Sequence, residues 1–234
     1  MLLKNNLYTE GKYLANNPTW HEEDSEWKAK QILLMIQKNN LYPKTVCEIG
    51  CGAGKILQEL QENMDENVSL IGYEISPQAY KLCENKKRYK LDYKIKDILL
   101  EENISFDVIL LIDLIEHLED YFQFLRKIKD KSKYKILHIP LDLSIIALLR
   151  KSPLSNSRKK AGHLHFFTKE IAIQILKDIG YEVLDSFYTA GSIELPSKSL
   201  ITKISKLPRK LAFFINKDLA VRIFGGYSLM VLVK

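Results

Sequence analysis

The 234-residue chain has little cysteine: Cys47, Cys51 and Cys83 are all it has. An odd, small set of thiols cannot lay down a disulfide framework, and the C-x3-C spacing of Cys47 and Cys51, with no second pair, lacks the ligand pattern of a zinc site. Small buried thiols in a reducing compartment, the cytoplasm, are the expectation, with no metal ligand assigned. Long apolar runs are also missing. Val108 to Leu114 and Ser228 to Val233 fall far short of the ~20 residues that a membrane-spanning helix needs. The opening MLLKNNLYTEGKYL has no apolar stretch before a small-residue cleavage site, so a secretory leader is not expected. Internal repeats and low-complexity tracts are absent as well. What remains, 46% hydrophobic and 27% charged, is the composition of an ordinary globular chain long enough for one large core.

The formal net charge of +6 admits a nucleic acid, a membrane surface or an anionic substrate as partner. Its distribution is uneven. Residues 1–142 are slightly acidic, residues 143–169 carry six bases and no acid, and residues 196–234 carry eight bases against one acid. The basic character is therefore confined to two segments, which favours a small anionic substrate over a long polyanion.

From Thr45 onward, short apolar runs alternate with helical patterns, as in βαβ units around a mainly parallel sheet. The expected strands are Thr45 to Ile49, Ser69 to Glu74, Asp92 to Lys96, Phe106 to Ile112 and Tyr134 to Ile139, then Tyr181 to Tyr188 and Tyr227 to Val233 as an edge pair around an inserted segment. Helices are predicted over Lys55 to Glu66, Pro77 to Arg88, Leu118 to Lys129 and, capped by Thr168 and ended by Gly180, through Asp178. An N-terminal region, residues 1–40, carries a helix from Glu22 to Lys38 with acids in its first turn and an apolar side of Trp27, Leu34 and Met35. Its aromatic residues Tyr8, Tyr13, Trp20, His21 and Trp27 suit packing or a lid. Residues 41–234 form the main domain, with insertions at 140–167 and 191–224 on the substrate side.

The strongest local signal is Val46-Cys47-Glu48-Ile49-Gly50-Cys51-Gly52-Ala53-Gly54-Lys55, a strand entering a glycine-rich turn and then a helix. Alternate glycines permit positive φ and close ligand approach, and the free amides at the helix start suit an anionic group. Glu74, at the end of the next strand, is placed to accept ribose hydroxyls. Together with Tyr73-Glu74-Ile75-Ser76-Pro77, Lys96-Asp97-Ile98 and Phe106-Asp107-Val108-Ile109 running on to Asp113-Leu114-Ile115-Glu116-His117-Leu118, the chain resembles the class I S-adenosylmethionine-dependent methyltransferases, closely over Thr45 to Leu143 and loosely to Lys234.

That resemblance implies an α/β, Rossmann-like sheet of seven strands, the last antiparallel, with helices on both faces and an N-terminal helical cap. It implies S-adenosyl-L-methionine as cofactor and S-adenosyl-L-homocysteine as product. Gly50, Gly52 and Gly54 would hold the methionine part, with Glu48 fixing their turn. Glu74 and Ile75 would meet the ribose, Asp97 the adenine amino group, Ile98 the ring face, and Asp113 the methionine ammonium. A dinucleotide site is disfavoured, because the third glycine comes one position early for G-x-G-x-x-G.

The acceptor is less legible. The fourth strand's exit lacks both the D/N-P-P-Y/F string of nucleobase amine methyltransferases and a Pro-Cys nucleophile, so nucleic-acid chemistries lose weight. Residues 140–167 hold Asp142, the basic Arg150-Lys151 and Arg158-Lys159-Lys160, and Gly162-His163-Leu164-His165. Asp142, His163 and His165 are candidate catalytic groups, and Arg150, Arg158, Lys159 and His117 candidate substrate contacts. His163 and His165, two apart in an extended segment, should point to opposite sides, so that one of them faces the pocket. The expected reaction is methylation of an oxygen, less readily nitrogen, of a small anionic metabolite, phosphorylated or nucleotide-linked, as in surface-glycan tailoring. An RNA-modifying enzyme and a non-catalytic cofactor-binding subunit are the alternatives. The insert from Pro196 to Phe224 reads as a cap, a weak membrane-surface contact or an oligomer contact of a monomer or homodimer, with Pro208 breaking any continuous helix.

Overall fold

Strand β1 (Thr45–Ile49) lies inside a seven-stranded sheet, next to the central strand β4 (Phe106–Ile112), in the order β3-β2-β1-β4-β5-β7-β6. The computed structural model describes residues 17–20, 22–150, 152–197 and 200–234; Tyr8, Tyr13, His21 and Lys151 lie outside the described residues. Strands β2 (Ser69–Glu74), β3 (Leu91–Ile95), β4 (Phe106–Ile112) and β5 (Ser132–Pro140) run parallel to β1. Strand β7 (Ser228–Val233) lies antiparallel between β5 and the edge strand β6 (Val183–Thr189). The order reverses between β1 and β4, and in open α/β sheets the crevice beyond the carboxyl ends of such strands is where ligands bind.

Both faces are covered. Along β4, Val108, Leu110 and Ile112 point to one core layer and Ile109 and Leu111 to the other, the period-two alternation of a strand buried on both sides. The first layer is completed by α1 (Ser25–Lys38), α2 (Lys55–Asn63) and Cys83 at the end of α3 (Pro77–Cys83), the second by α4 (Tyr121–Lys127) and α5 (Lys169–Asp178). All three cysteines are free and buried. Thr168 caps α5 through its hydroxyl on the Ile171 amide, and Gly180 leaves at φ 92°.

Some boundaries move. Helix α4 starts at Tyr121 rather than Leu118, because Asp120 caps it by accepting from the Gln123 amide. Helix α1 buries Ser25, Lys28, Ala29, Ile32, Met35 and Ile36; of the expected apolar side Met35 is buried and Trp27 half-buried, whereas Leu34 stands 48% exposed. In the C-terminal insert, α6 (Leu200–Ile215) continues through Pro208 and is followed by α7 (Lys217–Phe224), so the predicted break does not occur. Among the described residues no helix is long and apolar enough to cross a membrane.

Candidate active site

At the tip of β1 the chain turns through Gly50, Gly52 and Gly54, at φ 71°, 55° and 76°. Space as well as conformation requires glycine here. A Cβ on Gly54 would stand 2.5 Å from Tyr93 Cε1 and 2.7 Å from Cys83 Cβ, and one on Gly52 would stand 2.6 Å from Trp20 Cδ1. The Tyr93 hydroxyl donates to the Gly54 carbonyl at 2.6 Å. Glu74 braces the same turn: Oε2 accepts from the Gly52 amide and Oε1 from the Ile75 and Ser76 amides, each at 2.8 Å. Burial pushes its pKa up while the three amides oppose the rise. A carboxylate offers about four lone-pair positions, so Glu74 can still accept from a ribose hydroxyl.

Beside this turn lies a cavity of about 130 Å³ lined by Tyr73, Glu74, Ile75, Asp97, Ile98, Leu114, Leu118 and Phe124 among others. Asp97 uses one oxygen to cap the short turn Ile98–Leu100, on the Leu99 amide at 2.9 Å, and lines the cavity, where its carboxylate has acceptor capacity left for a ligand donor. Ile98 is fully buried and Ile75 partly exposed, forming apolar walls suited to a planar ring.

A second cavity, of about 290 Å³, shares Trp20, Gly50, Asp113 and His117 with the first. Its walls carry Asp24, Glu48, Asp113 and Glu116 against Lys28 and Lys55. Asp113, at the strained φ of 48°, is bonded on both sides, with Oδ1 2.6 Å from His138 Nδ1 and Oδ2 2.8 Å from Lys28 Nζ. Lys28 also reaches Asp24 at 2.9 Å, and His138 reaches the Thr189 hydroxyl at 2.8 Å. Burial works against both charges, yet His138 and Lys28 outweigh it and hold the Asp113 carboxyl far below the usual range, while Asp113 and Asp24 hold the Lys28 ammonium above its own. Asp113 is thus part of a Thr189-His138-Asp113-Lys28-Asp24 chain, and Glu48 is the less committed acid. Its Oε2 is buried without a partner, and burial drives its pKa well up. An acid-rich pocket with a spare buried acceptor suits a ligand bearing an ammonium and a sulfonium.

On the far wall, His163 Nδ1 is 2.6 Å from Asp142 Oδ2, and the His163 ring stands 5.0 Å from that of His117. Glu116 is fully buried beside them. His165 points away, its Nε2 donating to the Leu118 carbonyl at 2.8 Å and its ring edge-on to Tyr121, which removes it from the candidate catalytic set. Arg150, Arg158 and Lys159 do not line either cavity. Arg150 borders a separate groove with Arg209 and Gly225, and Arg158 donates to the Leu164 carbonyl. Among the described residues the lysines that do line the cavities are Lys28 and Lys55 in the larger and Lys96 in the smaller; Lys28 escapes sequence reasoning because it lies on α1, outside the glycine-turn motifs. Its spacing with Ser25, Ile32 and Met35 on the buried face is the signal that could have found it.

A family profile described as a methyltransferase domain matches residues 19–186. The tRNA(Thr) (cytosine(32)-N(3))-methyltransferase of Saccharomyces cerevisiae is 30% identical over 84 residues, 35% of this chain but 13% of that protein's length. Magnesium protoporphyrin IX methyltransferase from Synechocystis PCC 6803 with bound SAH superposes with a TM-score of 0.59 at 13% identity, covering 89% of this chain and 82% of the other. Coclaurine N-methyltransferase bound to N-methylheliamine and SAH gives a TM-score of 0.59 at 18% identity, covering 88% and 72%. At such identities the likeness to these structures is one of fold.

Proposed function

The chain belongs to the S-adenosylmethionine-dependent methyltransferase family, and from that membership we propose that it transfers the sulfonium methyl to an oxygen of a small metabolite, releasing S-adenosyl-L-homocysteine. The supporting observation is the pair of joined cavities. The apolar one, with Glu74 and Asp97 at its strand tips, suits the adenosine, and the acid-rich one suits the ammonium and sulfonium. The leaving group is good already, so alignment of acceptor, methyl carbon and sulfur is the main task. Unlike a neutral amine, a hydroxyl acceptor needs a polar partner close by. The wall of Glu116, His117 and Asp142-oriented His163 supplies one, which favours oxygen. For an anionic, phosphorylated or nucleotide-linked acceptor, the support is the positive field of residues 143–169, which carry six bases and no acid and border the cavity through Ala161 and His163, while Arg150, Arg158 and Lys159 themselves stand outside its lining.

Calorimetry with S-adenosylhomocysteine tests the cofactor site. Binding by the wild type and a loss of at least tenfold in Glu74→Ala are expected, and unchanged binding in the variant would refute the assignment. For the acceptor, phosphorylated metabolites and nucleotide sugars should be methylated ahead of neutral phenols and amines. The yeast tRNA-methylating relative supports RNA as the alternative acceptor. In that case tRNA should be methylated, with affinity falling steeply as salt rises. We further propose an anionic membrane surface as the chain's macromolecular partner, supported by the outward apolar face of α6.

A further inference from the structure

Among the described residues, one candidate donor atom each from Glu116, His117 and His163 lies within 4.8 Å of the others. Glu116 is fully buried, and neither of its carboxylate oxygens has a hydrogen-bond partner. Native proteins pair such groups or place them on a metal, because an isolated buried carboxylate is costly. The nearest base is His117, whose Nε2 stands 3.8 Å from Glu116 Oε1, beyond hydrogen-bond reach. With Asp142 on its Nδ1, His163 has Nε2 as the nitrogen left to carry a lone pair, the carboxylate-histidine arrangement that orients metal-binding imidazoles. The backbone fixes the parts. The Glu116 carbonyl accepts from the Leu164 amide at 2.7 Å and the His165 amide at 3.1 Å, holding the His163 segment against the short turn Ile115–His117.

We propose that Glu116, His117 and His163, with Asp142 behind His163, bind a divalent first-row transition-metal ion. Two imidazoles and one carboxylate leave coordination positions open and match the donor preference of such ions. Around zinc, donors at 2.0–2.2 Å stand about 3.4 Å apart in a tetrahedral set. The cluster therefore has to contract, and Glu116, with no hydrogen bond to break, is the side chain able to move. All three residues line the acid-rich cavity, so the open positions face it. An oxygen acceptor, an anionic one above all, could then be a ligand of the ion. This last consequence rests on the methyl-transfer reading, whereas the metal site itself does not.

The test is calorimetric titration of the chelator-stripped 234-residue chain with zinc ion alone, without cofactor. One saturable site is expected. It should weaken at least a hundredfold in His163→Gln and Glu116→Gln, and 10–100-fold in Asp142→Asn, as loss of the carboxylate behind a ligating histidine does. His165→Gln should leave it unchanged. Should His163→Gln fail to fold, the near-isosteric Glu116→Gln and Asp142→Asn carry the test, with thermal unfolding as the check on each. No zinc binding by a preparation that binds S-adenosylhomocysteine, or zinc binding that survives these substitutions, would overturn the proposal. Zinc binding without S-adenosylhomocysteine binding would leave it standing and refute the cofactor assignment instead.

Discussion

Gly54 shows how tightly single residues constrain the cofactor turn. It combines a left-handed φ of 76° with a hydrogen position aimed at Tyr93 and Cys83, 2.5 and 2.7 Å from where a Cβ would lie. Gly54→Ala should therefore cost about 3 kcal/mol from strain and overpacking together, visible as a lower urea midpoint, and should weaken S-adenosylhomocysteine binding. Stability within about 0.5 kcal/mol of wild type would refute this account of the turn. The glycines, Glu74 and Asp97 were legible in the sequence because each is placed by its distance from the end of a strand. The divergence of His163 and His165 was not legible: residues two apart in an extended chain share a face, so the expectation of opposite sides rested on a wrong rule, and the two rings part only because the Leu164 and His165 amides both donate to the Glu116 carbonyl and bend the chain there. Nor were the partners of Asp113. Lys28 and His138 reach it from α1 and β5, a juxtaposition that no local pattern encodes.

Among the elements, α1 is joined to the sheet by charge as well as by apolar packing. Lys28 bridges Asp24 and Asp113, and Trp27 Nε1 donates to Glu194 at 2.6 Å. Lys28→Met would leave Asp113 short of its cation in a largely buried site, a loss of about 3 kcal/mol on the scale of broken buried ion pairs. The cost should appear in thermal unfolding and be relieved in part by the second change Asp113→Asn. A variant as stable as wild type would show that the bridge contributes nothing. Strand β5 carries a different buried charge. Lys135 donates to the Lys129 and Ser132 carbonyls, and burial pulls its pKa down to about 8. Between that value and the ordinary lysine value of about 10.4 the unfolded chain holds a proton that the folded chain has released, so stability contributed by Lys135 rises with pH across this window and is lost as pH falls through 8. The stability of wild type relative to Lys135→Met should therefore climb from pH 8 to pH 10 in paired melts, and a flat difference would contradict the shift. Strands β1, β2 and β4 were readable to the residue because apolar runs abut turn formers, whereas β5 begins earlier than expected, at Ser132, where polar residues hide the pairing with β4. Helix α6 defeats the proline rule because Pro208 is exposed, and on that side water can satisfy the carbonyl deprived of its amide.

At the scale of the whole molecule, α6 is turned the wrong way round for a free surface helix. Ser205, Lys206, Arg209 and Ala212 are half-buried on its inner side, Phe213 stacks on Tyr227, and Ile204, Leu207, Leu211, Phe214 and Ile215 stand 61–88% exposed at helical spacing. The exposed Lys203 and Lys210, seven residues apart on the same helix, border this stripe. An apolar face bordered by lysines is complementary to an anionic lipid surface, where the side chains enter the headgroup boundary and the ammonium groups stay with the phosphates. A second copy of the chain would bring like charges together along the same edge, which disfavours self-association through it. The chain should therefore float with vesicles containing phosphatidylglycerol and stay behind with vesicles of phosphatidylcholine alone. Leu211→Ser combined with Phe214→Ser should abolish flotation, since both side chains point away from the core and the fold does not need them. Added salt should weaken the association without removing it, because each lysine contributes only about 1 kcal/mol and the apolar stripe is not screened. Equal flotation with both vesicle types, or a wild-type dimer that the double substitution turns into a monomer, would assign the face to another partner.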